Sequence, residues 1–192
     1  IKLKDTYVNA IRLAKKYGIC DFSNYVLFNY TDEPEDLWER LRINVELCAE
    51  LDIDIFSFPM KYVPINQTDR LYIGKFWKKK YLDAISAILL VTKGIVARGN
   101  TFFYKAFGSN LEEYYEILSM PRDFIIYRSD FEKAGLTSQW KNEFLKLKES
   151  EKDFLIDAIQ QNPSYQELVS NIPSKYKRIA EYYYIKHNQL KI

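Results

Sequence analysis

Polar residues that could hold a ligand follow the end of a predicted β-strand near the start of the chain. Residues 24–30 (NYVLFNY) are largely apolar, and the acidic turn at residues 31–36 (TDEPED) comes directly after them. A second apolar run, residues 54–58, ends at Pro59. Ligands of parallel sheets bind beyond the carboxyl ends of the strands. We therefore expect any small-molecule chemistry of this chain to lie at these two strand ends.

A helix is predicted between the two strands. Its apolar residues recur at helical spacing and form one stripe: Leu37, Leu41, Val45 and Cys48. Pro34 suits its first turn, and the surrounding acidic residues favour the positive end of its dipole. Almost wholly apolar strands are typical of a parallel sheet that is covered on both faces. The sequence thus predicts a β-α-β unit, preceded by a helix over residues 1–17 that ends at Gly18.

The remainder of the chain is different in character. From Phe76 onward the pattern is helical, with breaks expected near Gly94, Gly108, Pro121, Gly135, Pro163 and Pro173. Only two good strands are found, which indicates part of a barrel and not a whole one. The predicted fold is therefore an α/β partial barrel with about two parallel strands over residues 1–65, followed by a mainly α-helical extension over residues 66–192.

Composition excludes several classes of protein. The chain has 192 residues, of which 47% are hydrophobic and 28% charged, as in globular proteins and unlike disordered ones. Two cysteines, Cys20 and Cys48, and the single histidine His187 cannot supply a four-ligand zinc site, so no metal ligand is predicted. Glycine motifs that cradle phosphates and the nucleophile motif of serine hydrolases are absent. No catalytic residue is predicted, and His187 in particular is given no catalytic role.

The sequence also bears on the cell compartment. The longest apolar stretch, residues 84–91, is far too short to span a bilayer, and we expect no signal peptide. We expect a cytoplasmic protein without a membrane partner, in which Cys48 is a buried free thiol. Because the chain opens with Ile1 inside a helical pattern, we also expect it to be a piece of a longer protein.

The β-α-β unit resembles the fifth and sixth strands of a radical S-adenosylmethionine (SAM) enzyme barrel. Members of that family have an apolar strand that enters a polar turn, a helix that opens with Pro-Glu-Asp, and a second strand that ends in a proline-rich segment. Residues 25–36 (YVLFNYTDEPED) match the first two features, and residues 56–64 (FSFPMKYVP) match the third. The glycines usual in the turn are replaced by Asn29 and Thr31.

The resemblance implies a function and a set of cofactors. The chain would be the C-terminal portion of an enzyme that binds SAM and a 4Fe–4S cluster and generates a radical on a small-molecule or peptide substrate. The cysteine triad that holds the cluster is absent here, so the cluster would be bound by the missing N-terminal half of the barrel. This chain alone would then be inactive, and its helical extension would act as a lid or substrate-binding region.

The resemblance also implies roles for particular residues. SAM would contact Asn29 and Asp32 after the first strand, and Ser57, Phe58 and Met60 at the exit of the second. Each has a structural alternative, because Asn and Asp cap strands and helices and because Phe58 also fits the alternation of a half-buried strand.

Two cations flank the same strand ends. Lys61 and Arg70 could hold an anionic substrate, or they could be ordinary solvated surface residues.

Two rival functions are also compatible with the sequence. Residues 61–105 contain nine Lys or Arg and two Asp, a local charge of +7 against +2 for the whole chain. Residues 75–81 (KFWKKKY) combine lysines with aromatic rings, a mixture that suits single-stranded nucleic acids. The structural alternative is a helix whose three consecutive lysines, residues 78–80, face solvent. The second rival is a helical scaffold or interaction domain without a catalytic site.

Overall fold

The computed structural model describes residues 3–67, 69–162 and 164–190 of the chain. Two β-strands and eleven α-helices occur within that part. In chain order they are α1 (Lys4–Lys16), β1 (Asp21–Phe28), α2 (Pro34–Leu51), β2 (Asp54–Lys61), α3 (Lys79–Val91), α4 (Asn100–Phe107), α5 (Leu111–Ser119), α6 (Arg122–Ile126), α7 (Arg128–Lys133), α8 (Leu136–Phe144), α9 (Glu149–Gln161), α10 (Tyr165–Asn171) and α11 (Ser174–Glu181). Short 3₁₀ helices follow at Tyr182–Tyr184 and His187–Gln189.

Strands β1 and β2 are parallel neighbours, as the sequence predicts. Their register runs from the pair Asp21 and Asp54 to the pair Phe28 and Lys61. β1 stops at Phe28 because Asn29 takes a left-handed backbone conformation with φ 70°. The predicted layout of a parallel β-α-β unit followed by helices is confirmed. The sheet that the described residues form has two strands and does not close into a barrel.

Helix α2 covers one face of the sheet. The predicted stripe is confirmed, since its four members are all buried: Leu37, Leu41, Val45 and Cys48. Pro34 is the first residue of α2, and the backbone N–H of Glu33 donates to Asp36 Oδ2 at 3.0 Å, which caps the helix. The side chain of Ile11 from α1 and those of Ile53 and Ile55 join the same hydrophobic core.

Helix α1 ends where the sequence predicts. Gly18 follows it with φ 89°, and the Ile19 N–H donates to Ala14 O at 3.1 Å, closing the last turn. The first two residues of the predicted helix, Ile1 and Lys2, lie outside the described part of the chain.

The chain divides into two compact units, each with its own core. The first comprises Ile1–Lys78 and Leu89–Tyr114 and contains the sheet. In it the buried Trp38 packs against Phe103 with ring centroids 6.2 Å apart, and its indole N–H donates to Gly108 O at 3.2 Å. The aromatic ring therefore ties α2 to α4.

The second unit comprises Lys79–Ile88 and Tyr115–Ile192 and is helical. Phe124 stacks on Phe131 at 4.2 Å, and Trp140 is fully buried. The helix breaks predicted at glycines and prolines fall where described helices begin or end, except that Pro163 lies outside the described residues. None of the described helices has both the length and the hydropathy that a bilayer span requires.

Candidate functional site

The carboxyl ends of β1 and β2 lie side by side because the strands are in register up to Phe28 and Lys61. The chain leaves β1 through Asn29–Glu33 and leaves β2 through Tyr62, whose N–H donates to Phe28 O at 2.7 Å. This carboxyl edge, formed by residues 28–33 and 60–62, collects most of the predicted site residues. Their side chains point in different directions, however, and have different partners.

Asn29 is fully buried at the edge, and its amide is fully engaged. Its Nδ2 donates to Tyr62 O at 3.3 Å and to Tyr72 O at 3.1 Å, while its Oδ1 accepts from the Gly74 N–H at 2.7 Å. The predicted contact of Asn29 with SAM stays a prediction. The geometry establishes a link between the end of β1 and the segment after β2.

Asp32 binds the beginning of its own turn and a cation. Its Oδ1 accepts from the Tyr30 N–H at 2.7 Å, and its Oδ2 accepts from Arg40 Nη2 at 2.8 Å. The N-cap of α2 is Glu33, so the alternative role of Asp32 as helix cap is not what the fold uses. Arg40 also donates to Leu27 O and to Asp36 O, so its guanidinium links the turn to the end of β1 and to the start of α2.

Ser57 faces α2 and not the carboxyl edge. Its Oγ accepts from Asn44 Nδ2 at 2.8 Å, and Asn44 Oδ1 accepts from the Tyr7 hydroxyl at 2.9 Å. The Tyr7 oxygen in turn accepts from Asn24 Nδ2 at 2.9 Å. Burial raises the pKa of Tyr7, so the hydroxyl stays protonated and donates to Asn44. These four side chains form a polar network beneath the sheet.

Replacing Asn44 with leucine is expected to destabilise the first unit by about 2 kcal/mol, because it leaves the buried Ser57 hydroxyl without its donor and Tyr7 without its acceptor. Asn9→Leu is the control, since Asn9 is exposed on α1. Urea unfolding of both variants measures the difference. Equal midpoints in the two variants would show that the network contributes nothing.

A groove of about 380 Å³ lies along the outer side of β1. Its walls come from α1, from residues 24–27 of β1 and from α2: Leu3, Lys4, Tyr7, Asn24, Tyr25, Val26, Leu27, Arg40, Ile43 and Asn44. Within the described chain β1 pairs with β2 alone, and the groove runs along the unpaired edge of the strand. On the far side of β2, Ser57 pairs with Val96 in a single antiparallel bridge.

The sheet face opposite α2 is apolar and open. Tyr25 is 77% exposed, Leu27 43%, Phe56 40% and Met60 47%. Phe58 lies on the same face and packs against Tyr25 with ring centroids 5.8 Å apart. Two of the predicted SAM residues, Phe58 and Met60, therefore lie on this open face, whereas Ser57 lies on the other.

Of the two predicted cations, Lys61 contacts the backbone of Arg70 at the exit of β2. Lys61 Nζ donates to Arg70 O at 3.0 Å, and Arg70 has a left-handed backbone with φ 56°. Three tyrosine rings pack in a row beside them. The Tyr30 and Tyr62 centroids are 4.6 Å apart, and those of Tyr62 and Tyr72 are 5.6 Å apart. Sequence reasoning missed this tyrosine row, because its members come from two segments that the fold brings together.

The cysteines do not form a cluster site. Cys20 is exposed, whereas Cys48 is buried and its Sγ accepts from the Ile55 N–H at 3.3 Å. Burial raises the pKa of the Cys48 thiol, which opposes metal binding. Across the described residues no group of three or more His, Cys, Asp or Glu side chains could hold a metal ion. The residues that the structure describes therefore do not fit a 4Fe–4S cluster.

The basic segment is not a uniform solvent face. Lys80 is buried, contrary to the expectation that lysines 78–80 face solvent. Its Nζ donates to Leu118 O at 3.2 Å and to Met120 O at 2.6 Å, at the C-terminal end of α5. Arg98 pairs with Asp52 at 2.5 Å. These two cations are thus bound within their own units, and nucleic-acid contact stays a prediction.

His187 has a partner that the sequence does not indicate. Its Nε2 lies 2.8 Å from Asp130 Oδ2, and its ring stacks on Tyr127 with centroids 3.9 Å apart. Asp123 accepts from the His187 N–H at 3.1 Å. The contacts fix the C-terminal segment on α6 and α7.

Comparison of the chain with models of known protein families, with curated proteins and with solved structures finds no match.

Proposed function

We propose that this chain is the C-terminal portion of a radical SAM enzyme, in which β1 and β2 are the last strands of the barrel and contribute part of the SAM and substrate pocket. The observation that carries the proposal is the unpaired edge of β1 together with the open apolar face of the sheet. Parallel sheets are normally covered on both faces, and small sheets need further strands or packing for stability. The rest of a barrel would supply further strands beside β1 and would enclose the open face of the sheet.

The position of α1 supports a further parallel strand beside β1. In a β-α-β unit the helix lies over the sheet between the strand that precedes it and the strand that follows it. Helix α1 precedes β1 and packs beside α2, as the Tyr7–Asn44 hydrogen bond and the Lys4–Glu39 ion pair at 2.9 Å show. The groove between α1 and β1 is where a strand before α1 would lie.

The open face would then be the inner wall of the barrel. Met60 and Phe58 offer apolar surface at the carboxyl end, where barrel ligands bind. Lys61 and Arg70 stand at the same end and suit an anionic substrate group. SAM supplies the radical chemistry when it is bound, whereas the residues of this chain bind, orient and shield it from water.

The test uses the natural polypeptide that contains these residues. It is reconstituted anaerobically with iron and sulfide and reduced in the presence of SAM. We expect the absorbance of a 4Fe–4S cluster and the release of 5′-deoxyadenosine. A protein that takes up no cluster and releases no 5′-deoxyadenosine would contradict the proposal.

Met60→Ala tests the place of the pocket in that same protein. We expect it to weaken SAM binding about tenfold, since the apolar contact of one methionine is lost. Leu13→Ala removes a similarly exposed apolar side chain from α1 and should leave the dissociation constant unchanged. Isothermal titration with SAM measures both. Equal SAM dissociation constants for the two variants would show that Met60 is not part of the pocket.

A further inference from the structure

Residues 62–72 form a loop that leaves the end of β2 and returns to the end of β1, with Thr68 outside the described part. Its two ends meet at one side chain, because Asn29 Nδ2 donates to both Tyr62 O and Tyr72 O. Compact surface loops with closely spaced ends often carry function. Here one buried amide bonds both ends of the 62–72 loop, beside the Tyr62 N–H bond to Phe28 O at 2.7 Å.

The third bond of Asn29 fixes the segment after the loop. Its Oδ1 accepts from the Gly74 N–H at 2.7 Å, so the amide contacts the chain at residues 62, 72 and 74. Asn29 itself is fully buried and left-handed, with φ 70°. A non-glycine residue adopts this conformation at a cost, which the three hydrogen bonds offset.

From this geometry we infer that Asn29 is a positioning residue. It fastens the returning end of the 62–72 loop at the carboxyl edge and thereby sets where Tyr72 and Arg70 stand relative to Tyr62 and Lys61, and it does not act by touching a ligand. All the hydrogen-bonding capacity of its Nδ2 and one acceptor of its Oδ1 are used within the chain. The inference rests on the proposed function for the identity of the ligand, SAM.

The loop carries Arg70, Tyr62 and Tyr72, and it contacts Lys61 and Tyr30 outside it. Lys61 Nζ donates to Arg70 O at 3.0 Å, so the cation at the end of β2 is tied to the loop. Tyr62 packs against both Tyr30 and Tyr72. Releasing the returning end of the loop would therefore move Tyr72 away from Tyr62 and Arg70 O away from Lys61 Nζ.

The first experiment compares Asn29→Gly with Lys93→Gly in the natural polypeptide. Both positions are left-handed, with φ 70° and 56°, so both substitutions relieve the backbone, but Lys93 is exposed and holds no loop. We expect hydrogen exchange in residues 62–74 to rise at least about tenfold in Asn29→Gly, the loss of roughly one net hydrogen bond or more. Lys93→Gly should leave this exchange unchanged. The SAM dissociation constant should rise in Asn29→Gly alone.

We call the three hydrogen bonds of Asn29 to residues 62, 72 and 74 the Asn29 clamp. The second experiment uses Asn29→Asp to separate the loss of this clamp from a general loss of stability. A protonated aspartic acid can donate to one loop carbonyl and accept from the Gly74 N–H, whereas the ionised form has no donor and repels both carbonyls. Loop protection in this variant should therefore fall as pH rises from 4 to 8, relative to wild type at each pH. If the variant were destabilised only by poorer packing, its loop protection would show no such pH dependence.

Each result has a distinct meaning. Unchanged exchange in residues 62–74 of Asn29→Gly would overturn the clamp. Raised exchange with unchanged SAM affinity, in a protein whose wild type binds SAM, would overturn the positioning role. A wild type that binds no SAM would overturn the proposed function. The exchange data would then show by themselves whether the hydrogen bonds of Asn29 hold the loop.

Discussion

Replacing Gly74 with alanine is expected to detach the 62–72 loop from the carboxyl edge and to destabilise the first unit by about 3 kcal/mol. A β-carbon at this position would lie 2.7 Å from Tyr30 O and 3.1 Å from the carbonyl carbon and oxygen of Asn29. These are backbone atoms and cannot turn aside as a side chain does. Gly74 must therefore move, which breaks its N–H bond to Asn29 Oδ1.

Gly94→Ala provides the matched control. Gly94 has φ 78°, and a β-carbon added there would have nothing within 4 Å, so alanine meets only the left-handed backbone cost of about 1 kcal/mol. Urea unfolding gives the stability difference, and hydrogen exchange in residues 62–74 reports the loop. If Gly74→Ala costs no more than Gly94→Ala, the close approach of the two segments is not a constraint on the fold.

The β-α-β unit could be predicted from the sequence because its signals are local. Each strand contains a mainly apolar run, Pro34 and the acidic residues beside it define the start of α2, and the stripe from Leu37 to Cys48 has a single period. Each of these signals comes from residues within a few positions of each other. Tertiary contacts agree with them, so the order and the parallel pairing of the elements were predicted correctly, whereas β1 runs Asp21–Phe28 and not over residues 24–30.

The candidate site was only partly predictable, because its geometry depends on distant segments. Asn29 and Asp32 lie at the strand end as expected, but their partners Tyr72, Gly74 and Trp77 come more than forty positions later in the chain. The turn around Asn29 also lacks the glycine that would have indicated a left-handed residue. An asparagine there is itself a weak signal, since Asn tolerates this conformation better than most residues.

The direction of Ser57 follows from strand alternation once the burial of one neighbour is known. Ile55, Ser57 and Pro59 face α2, so Phe56, Phe58 and Met60 must face the other way. The sequence alone left this open, because both faces of β2 are rich in apolar residues. The polar residue Asn44 within the apolar face of α2 was the available signal, since a buried amide requires partners.

Lys80 was beyond sequence reasoning for a different reason. Three consecutive lysines, residues 78–80, are chemically identical, and helical spacing alone does not say which of them meets the carbonyls of another helix. Leu118 O and Met120 O lie at the C-terminal end of α5, where a cation is favoured by the helix dipole. That acceptor pair, which no local pattern encodes, keeps Lys80 inside the second unit.

The buried amine of Lys80 should make the stability of the second unit depend on pH. Burial lowers the pKa of Lys80 from its ordinary 10.5 to about 7, with Asp83 opposing the shift and Arg122 adding to it. Between about pH 7 and 10.5 the unfolded chain thus binds more protons at this residue than the folded one. The free energy of unfolding should rise with pH through that window, by at most about 1.4 kcal/mol per pH unit, and below pH 7 the full cost of burying the charge remains.

Lys80→Met and Lys79→Met separate this contribution from every other titration. Lys79 is exposed, so its replacement should keep the wild-type slope, whereas Lys80→Met should abolish the part that Lys80 contributes. The measurement is urea unfolding at intervals from pH 6.5 to 9.5, followed by hydrogen exchange in residues 115–120, which report the end of α5. Methionine at position 80 also leaves Leu118 O and Met120 O without a donor. The free energy of unfolding of Lys80→Met should therefore lie about 2 kcal/mol below that of wild type at pH 9. Parallel curves for the two variants would mean that Lys80 is charged in the folded state throughout this range, held so by its two carbonyl acceptors.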